Sequence, residues 1–242
     1  MPPAAYSLHR PELQGSLRRG ELALHQAMGS VRFYGRRATI LRAGEEHDLI
    51  YRLRSGWVCR SRTLADGRRQ ILGVSVPGDL LGLSPILFAR SLDSLTCLTR
   101  TSVNVVAQAH LWELAASNPD LALYLMFQLG KAQRRQDRWL VGLGQCTAEE
   151  RLAAMLLDTR ERRRAGGLLG KGAFRLPLTQ QDIGDYLGMT QVHVSRVLAR
   201  LRRSGTIATQ RHHVVLLRDI EALERMASPM ADLWASEGVF LQ

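Results

Sequence analysis

The apolar positions of this chain change rhythm three times. Between residues 31 and 107 they form short runs rich in Val, Ile, Leu and Thr, interrupted by the turn signals RAGE (42–45), RSG (54–56), ADG (65–67) and VPGD (76–79). Breaks every 9 to 14 residues or so predict an antiparallel β-sandwich or barrel. Asp66-Gly67 between two such runs, 57–64 and 68–76, predicts a tight hairpin. From 119 to 143 the period lengthens. Leu121, Leu125, Leu129, Ala132, Gln136, Trp139 and Leu143 step by three or four, a heptad-like seam with a polar centre. Asn118 and Pro119 supply its N-cap and first helical residue. Packing of this seam on the β domain is one reading; the length of the helix favours pairing with a second copy, as a parallel dimer.

The third texture is TQQDIGDYLGMTQVHVSRVLARLRRSG, residues 179–205. Thr179 can cap a short helix with Asp182 as its acidic partner three residues on, and Ile183 and Leu187 share a face. Gly188 stands where a left-handed terminator is needed. Thr190 then caps a second helix whose apolar positions Val194, Val197, Leu198 and Leu201 repeat with a period near 3.6. Its other face carries Gln191, His193, Ser195, Arg196, Arg200 and Arg203, and no Asp or Glu occurs from 190 to 205. A solvated face ordinarily mixes signs; this one predicts a helix-turn-helix with its recognition helix starting at Thr190. Two short β runs, 206–209 and 214–217, flank a basic turn that includes Arg211 and His212, which predicts a wing.

The remaining elements are weaker. Leu13, Leu17, Leu22 and Leu24 predict an N-terminal helix, although Gly15 and Gly20 put its continuity in question. A short helical piece is expected at 110–114, a hinge at 142–147, a helix from 148 to about 164, a glycine-rich loop at 166–172 and a short helix over 218–228. The expected divisions are an N-terminal segment (1–30), a β domain (31–109), a dimerisation helix and hinge (110–146), a winged helix-turn-helix (147–230) and an apolar tail (231–242).

Charge sharpens the picture. The 242 residues carry a formal net charge of +11, and 147–218 alone hold 13 Lys and Arg against 6 Asp and Glu. A polyanionic partner follows, and double-stranded DNA fits better than a membrane, because no broad apolar amphipathic face accompanies the cations. No run of about 18 apolar residues predicts a transmembrane helix, and the start MPPAAY lacks the pattern of a signal peptide, so the cytoplasm is the expected compartment. The three cysteines, Cys59, Cys97 and Cys146, are too few and too scattered for a four-thiolate cluster. No nucleophile–base grouping or phosphate-cradling glycine loop points to an enzyme.

A β domain, a long helix and a winged helix, in that order, resemble the Crp/Fnr family of bacterial transcription regulators. The likeness spans about residues 30 to 225, and its most specific parts are QQDIGDYLGMTQVHVSRVLARLRRSG and the turn VPGDLLG. The resemblance implies an α+β fold with an N-terminal antiparallel β-roll of the cyclic-nucleotide-binding type, a homodimer, palindromic promoter sites and contact with RNA polymerase. In nucleotide-binding members a phosphate cassette follows the PGD turn, with a Glu just after its Gly and an Arg about ten residues on; here Leu83 follows Gly82 and Asp93 holds the Arg position. A carboxylate facing a phosphate is repulsive and unpaired, so control by cyclic AMP is not expected. The cysteine pattern of the iron–sulfur members is missing too.

The same resemblance assigns roles on the recognition helix. Arg196 matches the family's base-reading arginine and can be bidentate to guanine. Val192 stands where many relatives have a Glu, and His193 where a small hydroxyl residue is usual. Gln191, Val192, His193 and Arg196 are expected at bases; Thr179, Thr190, Ser195, Arg200, Arg203, Arg211 and His212 are expected at phosphates. No cofactor is assigned. The signal could be an apolar ligand near Leu80, Leu81 and Leu83, haem held by one of His25, His47, Cys59 or Cys97, or cysteine oxidation, and the roll could also serve a winged helix that contacts protein instead of DNA.

Overall fold

The computed structural model describes residues 11–83, 90–165, 173–210 and 214–230. The expected tail at 231–242, the loop at 166–172, and Arg211 and His212 lie outside the described residues. The fold is α+β. Helix α1 (Pro11–Ala27) precedes eight strands: β1 (Val31–Tyr34), β2 (Thr39–Leu41), β3 (Leu49–Ser55), β4 (Val58–Thr63), β5 (Arg69–Ser75), β6 (Leu80–Leu81), β7 (Ser94–Cys97) and β8 (Thr101–Ala107). They form two four-stranded antiparallel sheets, ordered β1-β8-β3-β6 and β2-β7-β4-β5. The Asp-Gly hairpin joins β4 to β5 as expected: Thr63 faces Arg69, and the Leu64 N–H donates to the Arg68 carbonyl at 2.8 Å.

Alternation along the strands sorts the apolar side chains between three cores. Tyr51, Leu53, Val58, Leu95, Cys97, Val103 and Val105 fill the space between the two sheets. Ile50 and Val106 instead face a helical layer, where they meet Leu17 and Leu24 of α1, Leu111 of α2 (Gln108–Ser117), and Leu121 and Tyr124 of α3 (Pro119–Gln145). Cys59, Ile71 and Val74 point out of the other sheet into the core of the C-terminal unit. Each sheet is thus covered on its outer face by helices, and the C-terminal unit shares one continuous core with the β-roll.

Helix α1 runs through both of its glycines. A side chain at Gly20 would lie 2.1 Å from the Asp120 carbonyl oxygen, so glycine here permits the close crossing of α1 and α3. Helix α3 is capped by Asn118, whose side chain accepts from the Leu121 N–H, and its 27 residues span about 40 Å. It continues through Gly142 and Gly144, which confines the expected hinge to Cys146 and Thr147.

The C-terminal unit comprises α4 (Ala148–Ala165), β9 (Ala173–Arg175), α5 (Gln180–Leu187), α6 (Gln191–Arg203), β10 (Ile207–Gln210), β11 (Val214–Leu217), α7 (Ile220–Met226) and a 3-10 turn, Ser228–Met230. Its small sheet is ordered β10-β11-β9. The wing therefore has a third strand, β9, in a stretch that the sequence marked only as a lead-in to the helices.

Candidate nucleic-acid interface

The helix-turn-helix is built by its caps. Thr179 and Asp182 form a complete capping box: the Asp182 N–H donates to Thr179 Oγ1 at 3.0 Å, and the Thr179 N–H donates to Asp182 Oδ2 at 3.0 Å. Gly188 ends α5 in the left-handed region (φ 64°). Gly184 lets the turn fold back on α5, since a Cβ there would sit 2.5 Å from the Met189 carbonyl oxygen, while the Met189 N–H donates to the Gly184 carbonyl at 3.0 Å. Thr190 then caps α6 by accepting from the His193 N–H at 3.2 Å.

One face of α6 is locked: Val194, Val197, Leu198 and Leu201 are buried in the core they share with Ile183 and Leu187. The other face is open. Gln191, His193, Arg196 and Arg203 are exposed, and Val192 is 60 % exposed despite its apolar side chain. Three consecutive positions at the start of α6 and one on its next turn thus project a carboxamide, an isopropyl group, an imidazole and a guanidinium toward solvent, with no carboxylate on α6. That set can read base edges by hydrogen bonds and by apolar contact with a thymine methyl.

The expected phosphate contacts divide. Thr190 is exposed, and its hydroxyl proton stays available because the cap uses the oxygen only as acceptor. Arg203 is exposed and Ser195 half-buried. Thr179 is a correction: its hydroxyl donates to Asp182 Oδ2 at 2.7 Å and its N–H goes to the same oxygen, so both donors are committed within the cap. Arg200 is ion-paired with Glu149 of α4, and binding a phosphate would require it to exchange partners. Two cations escaped the sequence reading. Arg175 is exposed on β9 opposite Val214, and Arg202 reaches Thr209 of β10 at 3.5 Å. Both depend on the wing's sheet, and no local pattern marks either.

The α3 seam needs the largest correction. Leu121 and Leu125 are buried against α1 and the β-roll, and Trp139, 6 % exposed, packs on Tyr186 of α5 with ring centroids 4.9 Å apart. They stabilise the monomer's own cores and are closed to a partner. Leu129, Gln136 and Leu143 are exposed and Ala132 is half-buried. The free stripe is Met126, Leu129, Gln133, Gln136, Leu140 and Leu143, spaced 3, 4, 3, 4, 3, with Met126 66 % and Leu140 71 % exposed.

The β-roll also departs from expectation. Asp93 is not an unpaired carboxylate: Arg62 Nη2 lies 2.7 Å and Arg60 Nε 3.8 Å away. Burial lowers the Arg60 pKa, with the Asp93 carboxylate opposing it. Leu80, Leu81, Leu83, Arg60 and Asp93 line a cavity of about 140 Å³ beneath α3, smaller than the roughly 300–1,000 Å³ of ordinary ligand sites. The four haem candidates do not share a site. His25 is exposed on α1, and His47 is buried with Nε2 3.3 Å from the Gly82 carbonyl and its ring stacked on Tyr51. Cys59 and Cys97 face different cores; burial pushes the Cys59 thiol up to about 11 and raises Cys97 as well, which disfavours thiolate chemistry at either. No helix among the described residues is long and apolar enough to cross a membrane.

Comparison with known proteins agrees with this geometry. Residues 31–118 match the cyclic nucleotide-binding domain, and residues 150–226 match the Crp-like helix-turn-helix domain. The chain is 33% identical over 203 residues to the nitrogen fixation regulation protein FixK of Azorhizobium caulinodans, covering 84% of this chain and 81% of the relative. It is 33% identical over 183 residues to the transcriptional activator protein Anr of Pseudomonas protegens, covering 75% and 74%. Among solved structures it resembles FixK2 from Bradyrhizobium japonicum at 29% identity, with a TM-score of 0.75 over 81% of this chain and 96% of that one. These relatives are regulators of transcription, not enzymes. The chain belongs to the Crp/Fnr family of DNA-binding transcription regulators.

Proposed function

We propose that this regulator acts as a cytoplasmic homodimer on two-fold symmetric promoter sites, with contact to RNA polymerase, and that it does so without cyclic AMP. The observation that carries the reading is α6: a capped helix, anchored by four buried apolar residues, that presents Gln191, Val192, His193 and Arg196 free of any acidic neighbour on the helix. Those four meet base edges in the major groove. Thr190, Ser195 and Arg203 bind phosphates, joined by Arg175 and Arg202 and by Arg211 and His212 of the wing turn. Residues 31–109 act as the roll, 110–146 as the pairing helix and 147–230 as the DNA-binding unit.

Pairing along Met126, Leu129, Gln133, Gln136, Leu140 and Leu143 brings two copies together in parallel. The glutamines at the centre fix register at some cost in stability, as polar residues do in coiled coils. The lower half of this stripe walls an open cleft of about 770 Å³ with room for a neighbouring helix. Independence from cyclic AMP rests on Asp93, a carboxylate at the phosphate position that already pairs with Arg60 and Arg62.

Footprinting on promoter fragments, with and without added cyclic AMP, tests this. The expected result is protection of a symmetric site that the nucleotide does not alter. Binding that appears only with cyclic AMP, or coverage without sequence preference, would overturn it.

A further inference from the structure

Strand β5 is fastened to the DNA-binding unit at both ends. At its start, the guanidinium of Arg69 forks between two carboxylates of α5: Nη2 donates to Asp182 Oδ1 at 2.5 Å and Nε donates to Asp185 Oδ2 at 2.7 Å. The two carboxylates are largely shielded from water and the guanidinium is partly so. Next to it, Gln70 Nε2 donates to the Tyr186 carbonyl at 3.3 Å. At the far end, Arg162 of α4 donates to the Val74 carbonyl at 2.7 Å and pairs with Asp79. Ile71 and Val74 enter the same apolar core as Tyr186 and Leu187 in between.

Helix α5 does not move alone. The close approach of Gly184 to Met189 ties it to the turn that starts α6, so whatever orients α5 orients the recognition helix. Asp182 also closes the capping box, which makes the α5 N-terminus the point where Arg69 grips. Burial alone would lower the Arg69 pKa and raise that of Asp182. The hydrogen bonds between them, with those of Asp185 and Thr179, outweigh it in the opposite direction for both groups, so the pair stays charged.

We infer that Arg69 is a positioning residue for DNA recognition: its fork onto Asp182 and Asp185 fixes the orientation of the helix-turn-helix on the β-roll, and so sets the half-site spacing that a dimer accepts. The inference rests on the dimeric reading above. A guanidinium suits the task because its planar donors can serve two carboxylates at once, which an ammonium on a flexible stem does poorly. With the fork intact, two recognition helices are held at one separation, and only one spacing lets both engage. With the fork gone, α5 and α6 keep their own fold, and α5 is left tied to the roll by the single Gln70–Tyr186 hydrogen bond and the apolar contact, while Arg162 still holds α4.

The test compares full-length wild type with Arg69→Ala, Arg69→Lys and Asp185→Asn by fluorescence anisotropy. The duplexes carry a single half-site, two half-sites at the preferred spacing, and two half-sites moved apart or together by two base pairs, a rotation of about 70°. Asp185 is chosen because it lies outside the capping box. Wild type is expected to prefer one spacing by about tenfold or more. Arg69→Ala and Asp185→Asn should narrow that preference to about threefold or less, with single half-site affinity unchanged, and Arg69→Lys should fall between. A merely structural role would lower the melting temperature and all affinities together and leave the spacing ratio alone; that outcome, or an unchanged ratio in both variants, overturns the inference. A wild type indifferent to spacing removes the dimeric reading and the role of Arg69 with it.

Discussion

Trp139 and Leu140 are neighbours on α3 with opposite surroundings, and exchanging them one at a time separates folding from pairing. Leu140 is 71 % exposed in one chain. Burying a leucine stabilises by about 1.5–3 kcal/mol, and a two-fold dimer buries two, so Leu140→Glu should weaken association by about 3–6 kcal/mol before the facing carboxylates repel. That is a rise in the dimer Kd of roughly 10²–10⁴. Sedimentation velocity at micromolar concentration should show a monomer, with a melting temperature set by the single chain. Trp139 packs on Tyr186 inside the chain. Trp139→Ala should cost about 3–5 kcal/mol of fold stability, and at about 2–4 °C per kcal/mol for a chain of this size the melting temperature should drop by about 6–20 °C. The folded fraction should remain dimeric. A dimeric Leu140→Glu beside a monomeric Trp139→Ala of native melting temperature would refute the assignment and restore the seam through Leu121, Leu125 and Trp139.

Gly184→Ala should destabilise the DNA-binding unit by about 1–3 kcal/mol, because its methyl meets the Met189 carbonyl and the backbone must shift; thermal unfolding and half-site affinity should fall together. Asp93→Asn should cost about 1–3 kcal/mol by leaving Arg60 shielded without its anion, seen as a lower melting temperature that millimolar phosphate partly restores. For Asp182, burial works to raise the pKa, but hydrogen bonds from Thr179 and Arg69 hold it below the usual carboxylate value. Its contribution is therefore present above the unfolded value near about 4 and is lost as pH falls through the folded value. Urea titrations from pH 6 to pH 2 should show a shallower acid loss in Asp182→Asn than in wild type.

What could be read without coordinates was what local chemistry decides. The Asp-Gly hairpin, the capping box at Thr179, the left-handed Gly188 and the buried stripe of α6 each depend on residues a few positions apart, and each is where the pattern put it. The errors involve partners far along the chain. The spacing along α3 predicts one seam, but the helix carries two stripes: Leu121, Leu125 and Trp139 are claimed by α1, the roll and Tyr186, while Leu129, Gln136 and Leu143 stay exposed. Asp93 looked unpaired because Arg60 and Arg62 sit on another strand. Strand β9 was missed because a three-residue strand before Pro177 exists only by pairing with β11. On the hairpin rim Arg69 is, by sequence, one more surface arginine until α5 is folded beneath it.

Selection of bound sequences from randomised duplexes, run in parallel with wild type and Arg196→Ala, tests the role of α6 most directly. Wild type should enrich a two-fold symmetric site with half-site centres about 10–10.5 base pairs apart. Arg196→Ala should lose information at the same single position in each half-site, with an affinity loss of about 1–3 kcal/mol. An unchanged profile in the variant, or an equal loss on selected and random DNA, would mean that α6 does not read bases.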